Sequence, residues 1–255
     1  MTNLIIATAL SALSITYQGD IRSEYIARGK VIEDRPVQSN MLRLKYSLGE
    51  YGRVGLWHWD ISSLTTIQKA KRDRLLAESQ YGIFYGYDYS IADGWTLKNE
   101  FMLRWVTFPF YHSPYKGVSD HTNFEYNFFQ SLQNPYVIPT WHIRKCTRNA
   151  NFLYVCAGLM KPIVINEKLK ITPAVYMDFG DRDERGKYGP HPKGKKWDEG
   201  VMSAMAEISA DYKITEHFSA FASLQQYRLL GDELRSAATS KKDQTVFSVG
   251  IKATF

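Results

Sequence analysis

From Leu13 onward the chain is written in a period of two. In residues 13–28, Leu13, Ile15, Tyr17, Gly19, Ile21, Ser23, Tyr25 and Ala27 alternate with Ser14, Thr16, Gln18, Asp20, Arg22, Glu24, Ile26 and Arg28. Side chains of an extended strand point to its two faces in turn, so one face is largely apolar and the other carries Asp20, Arg22, Glu24 and Arg28. Such a run is longer than the usual globular strand of about 5–6 residues and suits a tilted membrane span. The alternation returns in residues 40–48, where Leu42, Leu44 and Tyr46 oppose Arg43 and Lys45. In residues 53–61 it sets Trp57, Trp59 and Ile61 against His58 and Asp60, which places the tryptophans in lipid and the polar pair in the interior. Residues 81–91 set five apolar or tyrosine positions from Tyr81 to Tyr89 against Gly82, Gly86 and Asp88. Residues 95–105 set Trp95, Phe101 and Trp105 against Lys98, Glu100 and Arg104. Further strands are predicted near residues 124–133, 136–146, 152–163, 169–179, 202–212, 218–227 and 244–255. Residues 65–80, rich in Lys, Arg, Ala, Leu and Glu, lack the alternation and are the one helical candidate, within a loop.

The connections alternate too. Short turns fall at Gly49 to Gly52, Asp93-Gly94, Asn134-Pro135, Asn166 to Lys168 and Thr215-Glu216, while the long ones lie near Lys30, Lys71, Tyr115, Asn149, Gly189 and Ala237. About twelve strands with short turns on one side and long loops on the other is the pattern of an outer-membrane barrel, and a soluble sandwich has no reason to show it. The predicted fold is all-β: a transmembrane antiparallel up-and-down β-barrel forming one domain over residues 13–255. Residues 1–12 read either as a truncated, atypical secretory signal lacking Lys and Arg or as an apolar lead-in to the first strand.

Composition agrees with a barrel that is apolar outside and polar inside. Aromatic residues make up 14% of the chain, yet the mean hydropathy is only −0.34. No run approaches the roughly 18 apolar residues of a membrane helix. The net charge of +6 raises the question of nucleic acid. The cations are scattered singly along alternating strands, and no nucleic-acid-binding motif is present, so no nucleic-acid partner is expected. Acidic lipopolysaccharide, other outer-membrane lipids or an anionic solute match that charge better. Cys146 and Cys156, ten residues apart and without a metal-ligand pattern, either pair across a hairpin or remain two buried thiols.

The inward faces give a set of channel-lining candidates: Asp20, Arg22, Glu24, Arg28, Arg43, Lys45, His58, Asp60, Asp88, Lys98, Glu100 and Arg104, joined by Glu207, Asp211 and Lys252. Charges removed from bulk water need partners, so these residues either brace the wall or also line a selective pore. A positive excess over the first five strands favours anions. The six histidines are dispersed and match no nucleophilic constellation, and no glycine-rich phosphate loop or zinc spacing occurs, so neither catalysis nor a cofactor is expected. The function read from the chain is a narrow porin-like channel for small hydrophilic, anionic solutes. The alternatives are a plugged structural barrel whose loops, such as the basic segment Arg182 to Lys196, bind lipopolysaccharide or protein, and a barrel enzyme acting on lipids.

Two stretches carry a family resemblance. Residues 244–255, with alternate apolar positions from Val249 to the final Phe255 and Gly250 within the run, resemble the C-terminal signature of bacterial outer-membrane barrels. That resemblance implies recognition by the barrel-assembly machinery through the last strand. Ser23-Glu24-Tyr25-Ile26-Ala27-Arg28-Gly29, followed by Pro36-Val37-Gln38, resembles the opening of a family of uncharacterised outer-membrane barrels of Gram-negative bacteria, with echoes at residues 54–59, 78–87 and 105–109. The resemblance implies fold and location and supplies no catalytic residues.

Overall fold

The computed structural model describes residues 12–64, 76–107, 122–148, 151–187, 189–238 and 241–255. Twelve strands make the wall: β1 (Leu13–Arg22), β4 (Val37–Ser47), β5 (Arg53–Ser63), β6 (Leu76–Ala92), β7 (Trp95–Thr107), β8 (Thr122–Gln133), β9 (Ile138–Cys146), β10 (Phe152–Met160), β12 (Leu169–Gly180), β13 (Gly200–Lys213), β14 (Phe218–Leu229) and β15 (Asp243–Thr254). Each pairs antiparallel with its neighbours in chain order, and β1 pairs with β15, Gly19 opposite Ile251, so the sheet closes without an edge. Of the remaining strands, β2 (Tyr25–Ala27) and β3 (Lys30–Glu33) form a separate hairpin off the wall, and the short β11 (Ile163–Val164) continues the line of β10 beside the start of β12, Ile163 opposite Ile171.

The distribution of apolar side chains is inverted relative to a soluble protein. Ile21, Leu56, Tyr81, Ile208, Phe247, Val249 and Ile251 lie on the outer face and are each about half exposed, while Asp20, Arg104, Glu125, Asn127 and Asp178 are buried inside. Water would penalise so continuous an apolar exterior, and a hydrocarbon medium favours it. The closed ladder pairs the backbone groups of each strand with those of its neighbours, as a hydrocarbon medium requires. The protein is therefore an outer-membrane β-barrel. Leu13 and Thr254 lie at the end that carries the short turns, which is the periplasmic end in barrels of this class.

Small residues inside the wall make room for long ones. A Cβ at Gly86 would lie 2.6 Å from Nε of Arg53, whose guanidinium crosses that gap to reach Asp88 at 2.7 Å.

The structure corrects several sequence expectations. The first strand ends at Arg22 instead of continuing to Arg28. At Ser23 the side-chain Oγ accepts from the Phe247 amide at 3.1 Å, replacing a ladder bond, and the chain leaves the wall. The long connection near Lys30 contains the second arm of the hairpin, turned by Arg28 and Gly29 at φ 56° and 76°. Two successive residues with positive φ are what a tight two-residue hairpin turn needs, and glycine supplies the second without strain. Of the helical candidate, residues 76–80 are strand and residues 65–75 lie outside the described residues, as do residues 108–121 and the segment 1–11. Short helices occur elsewhere, at Arg182–Gly186 and Asp232–Ala237. The cysteines form no disulfide: Cys146 sits opposite Phe152 and Cys156 opposite His142, too far apart along the ladder, and both remain thiols.

Candidate functional site

The hairpin β2–β3 leaves the wall between β1 and β4 and reaches the opposite wall. Around the closed sheet the strands facing that gap are β9 and β10, and the hairpin makes its contacts there. Arg28 at its tip forms an ion pair with Glu184, Nε to Oε1 3.0 Å, and its guanidinium lies 4.6 Å over the ring of Phe152, the first residue of β10. Glu184 belongs to the Arg182–Gly186 helix, which is capped by Asp181 through the Glu184 amide at 2.9 Å. Lys187, just after that helix, also pairs with Glu184 and places Nζ 3.2 Å over the same Phe152 ring. Lys30 donates to the Lys187 carbonyl at 2.9 Å. At its base the hairpin is tied to the wall by the Tyr25 hydroxyl, which donates to Glu78 at 2.7 Å, and by the Tyr25 ring against Trp59. Burial, together with the nearby Arg28 charge, holds the Lys187 ammonium down to about 8 despite the opposing pull of Glu184. Burial likewise lowers Lys30.

Beneath the hairpin the wall carries a polar network built from inward positions of successive strands. Arg104 of β7 pairs with Glu125 of β8 and donates through Nη1 to the Gln80 side chain at 2.7 Å. Arg144 of β9 approaches the same carboxylate at 3.6 Å and Asn127 at 3.3 Å through Nε, while its guanidinium lies 5.5 Å from the Tyr154 ring centroid. Asp178 accepts from the Tyr154 and Ser203 hydroxyls, each at 2.6 Å. On the other side Arg22 pairs with Asp20 at 2.5 Å, Ser39 donates to Asp20 at 3.1 Å, and the Trp59 indole donates to Ser39 at 3.1 Å. Toward the periplasmic end Arg43 pairs with Glu100 and lies 4.0 Å over Phe84. A cavity of about 680 Å³ separates the hairpin from this wall.

The sequence-predicted residues divide into three groups. Asp20, Arg22, Arg43, Asp88, Glu100 and Arg104 share the interior, with Lys45 and Lys98 on inward positions of β4 and β7. Glu24 and Arg28 are off the wall: Glu24 is buried at the bend after β1 with Lys241 at 3.6 Å, and Arg28 sits in the hairpin. His58 and Asp60 lie outside. Arg43 sits opposite Trp57 and Met41 opposite Trp59, so the inward face of β5 carries the tryptophans, and both line the cavity. His58 instead stacks on the exposed Tyr81, ring centroids 4.6 Å apart, and Asp60 accepts from Asn40 at 3.1 Å. Sequence reasoning missed Glu125 and Arg144. For Glu125 the available signal was parity: in the strand predicted near residues 124–133, Phe124, Tyr126 and Phe128 alternate with the buried Asn123, Glu125 and Asn127.

No family model matches the chain, and no curated protein matches it. Among solved structures it is similar to an outer membrane channel from Pseudomonas putida F1, at 12% identity and a TM-score of 0.53 over 95% of this chain and 94% of that one. It is also similar to a KdgM porin, at 10% identity and a TM-score of 0.50 over 95% and 99% of the two chains. The NanC porin gives 9% identity and a TM-score of 0.50 over 94% and 98%. At these identities the likeness is one of fold, a closed outer-membrane barrel of the same size.

Proposed function

We propose that the barrel is a narrow diffusion channel for small hydrophilic solutes, with a preference for anions. The observation that carries this reading is the cavity under the hairpin, which is large enough for a small solute and lined by charge. Five basic residues (Arg28, Lys30, Arg104, Arg144 and Lys187) face four acidic ones (Glu78, Glu125, Asp183 and Glu184). Twice, two cations share one carboxylate: Arg104 and Arg144 on Glu125, and Arg28 and Lys187 on Glu184. A carboxylate so shared leaves positive potential unspent, and a passing anion can use it. The fold likeness to porins is compatible with transport.

A plugged barrel is the second reading, and the hairpin that bridges the bore favours it. Conductance separates the two. Purified protein in a planar bilayer should give discrete current steps, and liposomes carrying it should admit small sugars. Absence of both would leave the braced, closed barrel.

A further inference from the structure

The lipid-facing wall carries a polar cluster within its apolar band. On β1 the outward Ile21 is half exposed and sits opposite Gln38, so Asn40, opposite Gly19, lies closer to the middle of the membrane than an apolar lipid-facing residue does. Asn40 accepts from the Tyr17 hydroxyl at 2.9 Å and donates to one Asp60 oxygen at 3.1 Å. The other Asp60 oxygen faces His58 Nε2 at 3.3 Å, and His58 Nδ1 meets the Gln80 carbonyl at 3.0 Å. The His58 and Asp60 side chains stay 35% and 24% exposed on this outer face. A carboxylate accepts about four hydrogen bonds. Asp60, near the long-loop end of β5, therefore keeps acceptor capacity toward lipid at the edge of the apolar band, where an ionisable group is costly without a partner. An apolar groove of about 310 Å³ lies beside His58, lined by Leu42, Leu44, Leu56, Ile83 and Trp105.

We infer that this groove seats one acyl chain of a lipopolysaccharide, with Asp60 accepting from the lipid's own donor. The cluster sits toward the long-loop end of β4 and β5, hence in the outer leaflet. At that depth a glycerophospholipid offers ester carbonyls, which are acceptors only and do not satisfy a carboxylate. Lipid A offers amide N–H and acyl-chain hydroxyl groups at the same depth, and these donate. The donor–acceptor balance selects lipopolysaccharide over phospholipid, and the groove accounts for the chain.

The test uses full-length protein refolded without lipopolysaccharide. Lipid A or phosphatidylethanolamine is added at equal concentration in detergent and retention is read by native mass spectrometry. Wild type should retain lipid A in preference to phosphatidylethanolamine, and Asp60→Leu should lower lipid A retention about tenfold, the scale of one hydrogen bond to a charged group. Tyr212→Leu, on the outer face of another part of the wall, should retain it as wild type does. Asn40→Leu serves if Asp60→Leu does not refold. Equal retention of the two lipids, equal retention by wild type and Asp60→Leu, or a dimer that Asp60→Leu dissociates would each overturn the assignment.

Discussion

Arg28 and Glu184 belong to opposite sides of the barrel and meet at 3.0 Å across its bore. The arginine occupies a left-handed backbone conformation that non-glycine residues seldom adopt, and the Glu184 pair holds it there. The contact fixes the hairpin over the cavity. Removing one partner of a buried ion pair costs about 3 kcal/mol, because the other is left uncompensated. Glu184→Gln should therefore release the hairpin, giving larger and noisier single-channel currents without loss of the folded barrel. Unchanged currents would mean that the hairpin is held by its base alone.

The same cluster should respond to alkaline pH. The Lys187 ammonium is held at about 8 in the docked arrangement, below its ordinary value of 10.5. Between those values the docked state binds fewer protons than the released one, so docking strengthens as pH rises through that window and is unaffected below it. Conductance should fall from pH 8 to pH 10, and Lys187→Met should flatten the profile. A rise in conductance over that range would contradict the sign.

Within the wall, Glu125 is the carboxylate that two arginines depend on. Glu125→Gln leaves Arg104 and Arg144 facing each other with only neutral acceptors and should lower stability by about 3 kcal/mol. The midpoint of urea unfolding in detergent micelles measures it, and an unshifted midpoint would show that the network braces nothing.

The inward tryptophans make a separate optical prediction. Brominated lipids should quench the fluorescence of Trp105, which is exposed on the outer face beside Phe124, far more than that of Trp57 or Trp59. Variants retaining a single tryptophan report each position, and equal quenching of Trp57 and Trp105 would reverse the facing of β5.

The facing of β5 also marks where sequence reading stopped. Along β6 the pattern is unambiguous, because tyrosines and isoleucines alternate with glycines and Asp88, and only one face can meet lipid. Along β5 both faces mix apolar and polar groups, and tryptophan suits either a membrane interface or a polar lumen where its indole finds an acceptor. Trp59 found Ser39. The pairing register with Arg43 decides the matter, and register is a property of two strands. The wall, its strand number and the alternation of turns were legible because each follows from local periodicity. The hairpin was hidden because alternation continues through Ser23, where only a contact with Phe247 ends the strand. The Arg28–Glu184 pair spans 156 residues of sequence, from 28 to 184, and no local signal points to it.

On the proposed function, a charged, water-accessible path runs beside the hairpin through the barrel. Reversal potential in a planar bilayer under a potassium chloride gradient tests it most directly. The wild type should conduct in discrete steps with a reversal potential displaced toward that of chloride, and Arg144→Gln should move it toward potassium. A membrane that stays silent with correctly folded protein, or a reversal potential displaced toward potassium in the wild type, would rule out an anion-selective path.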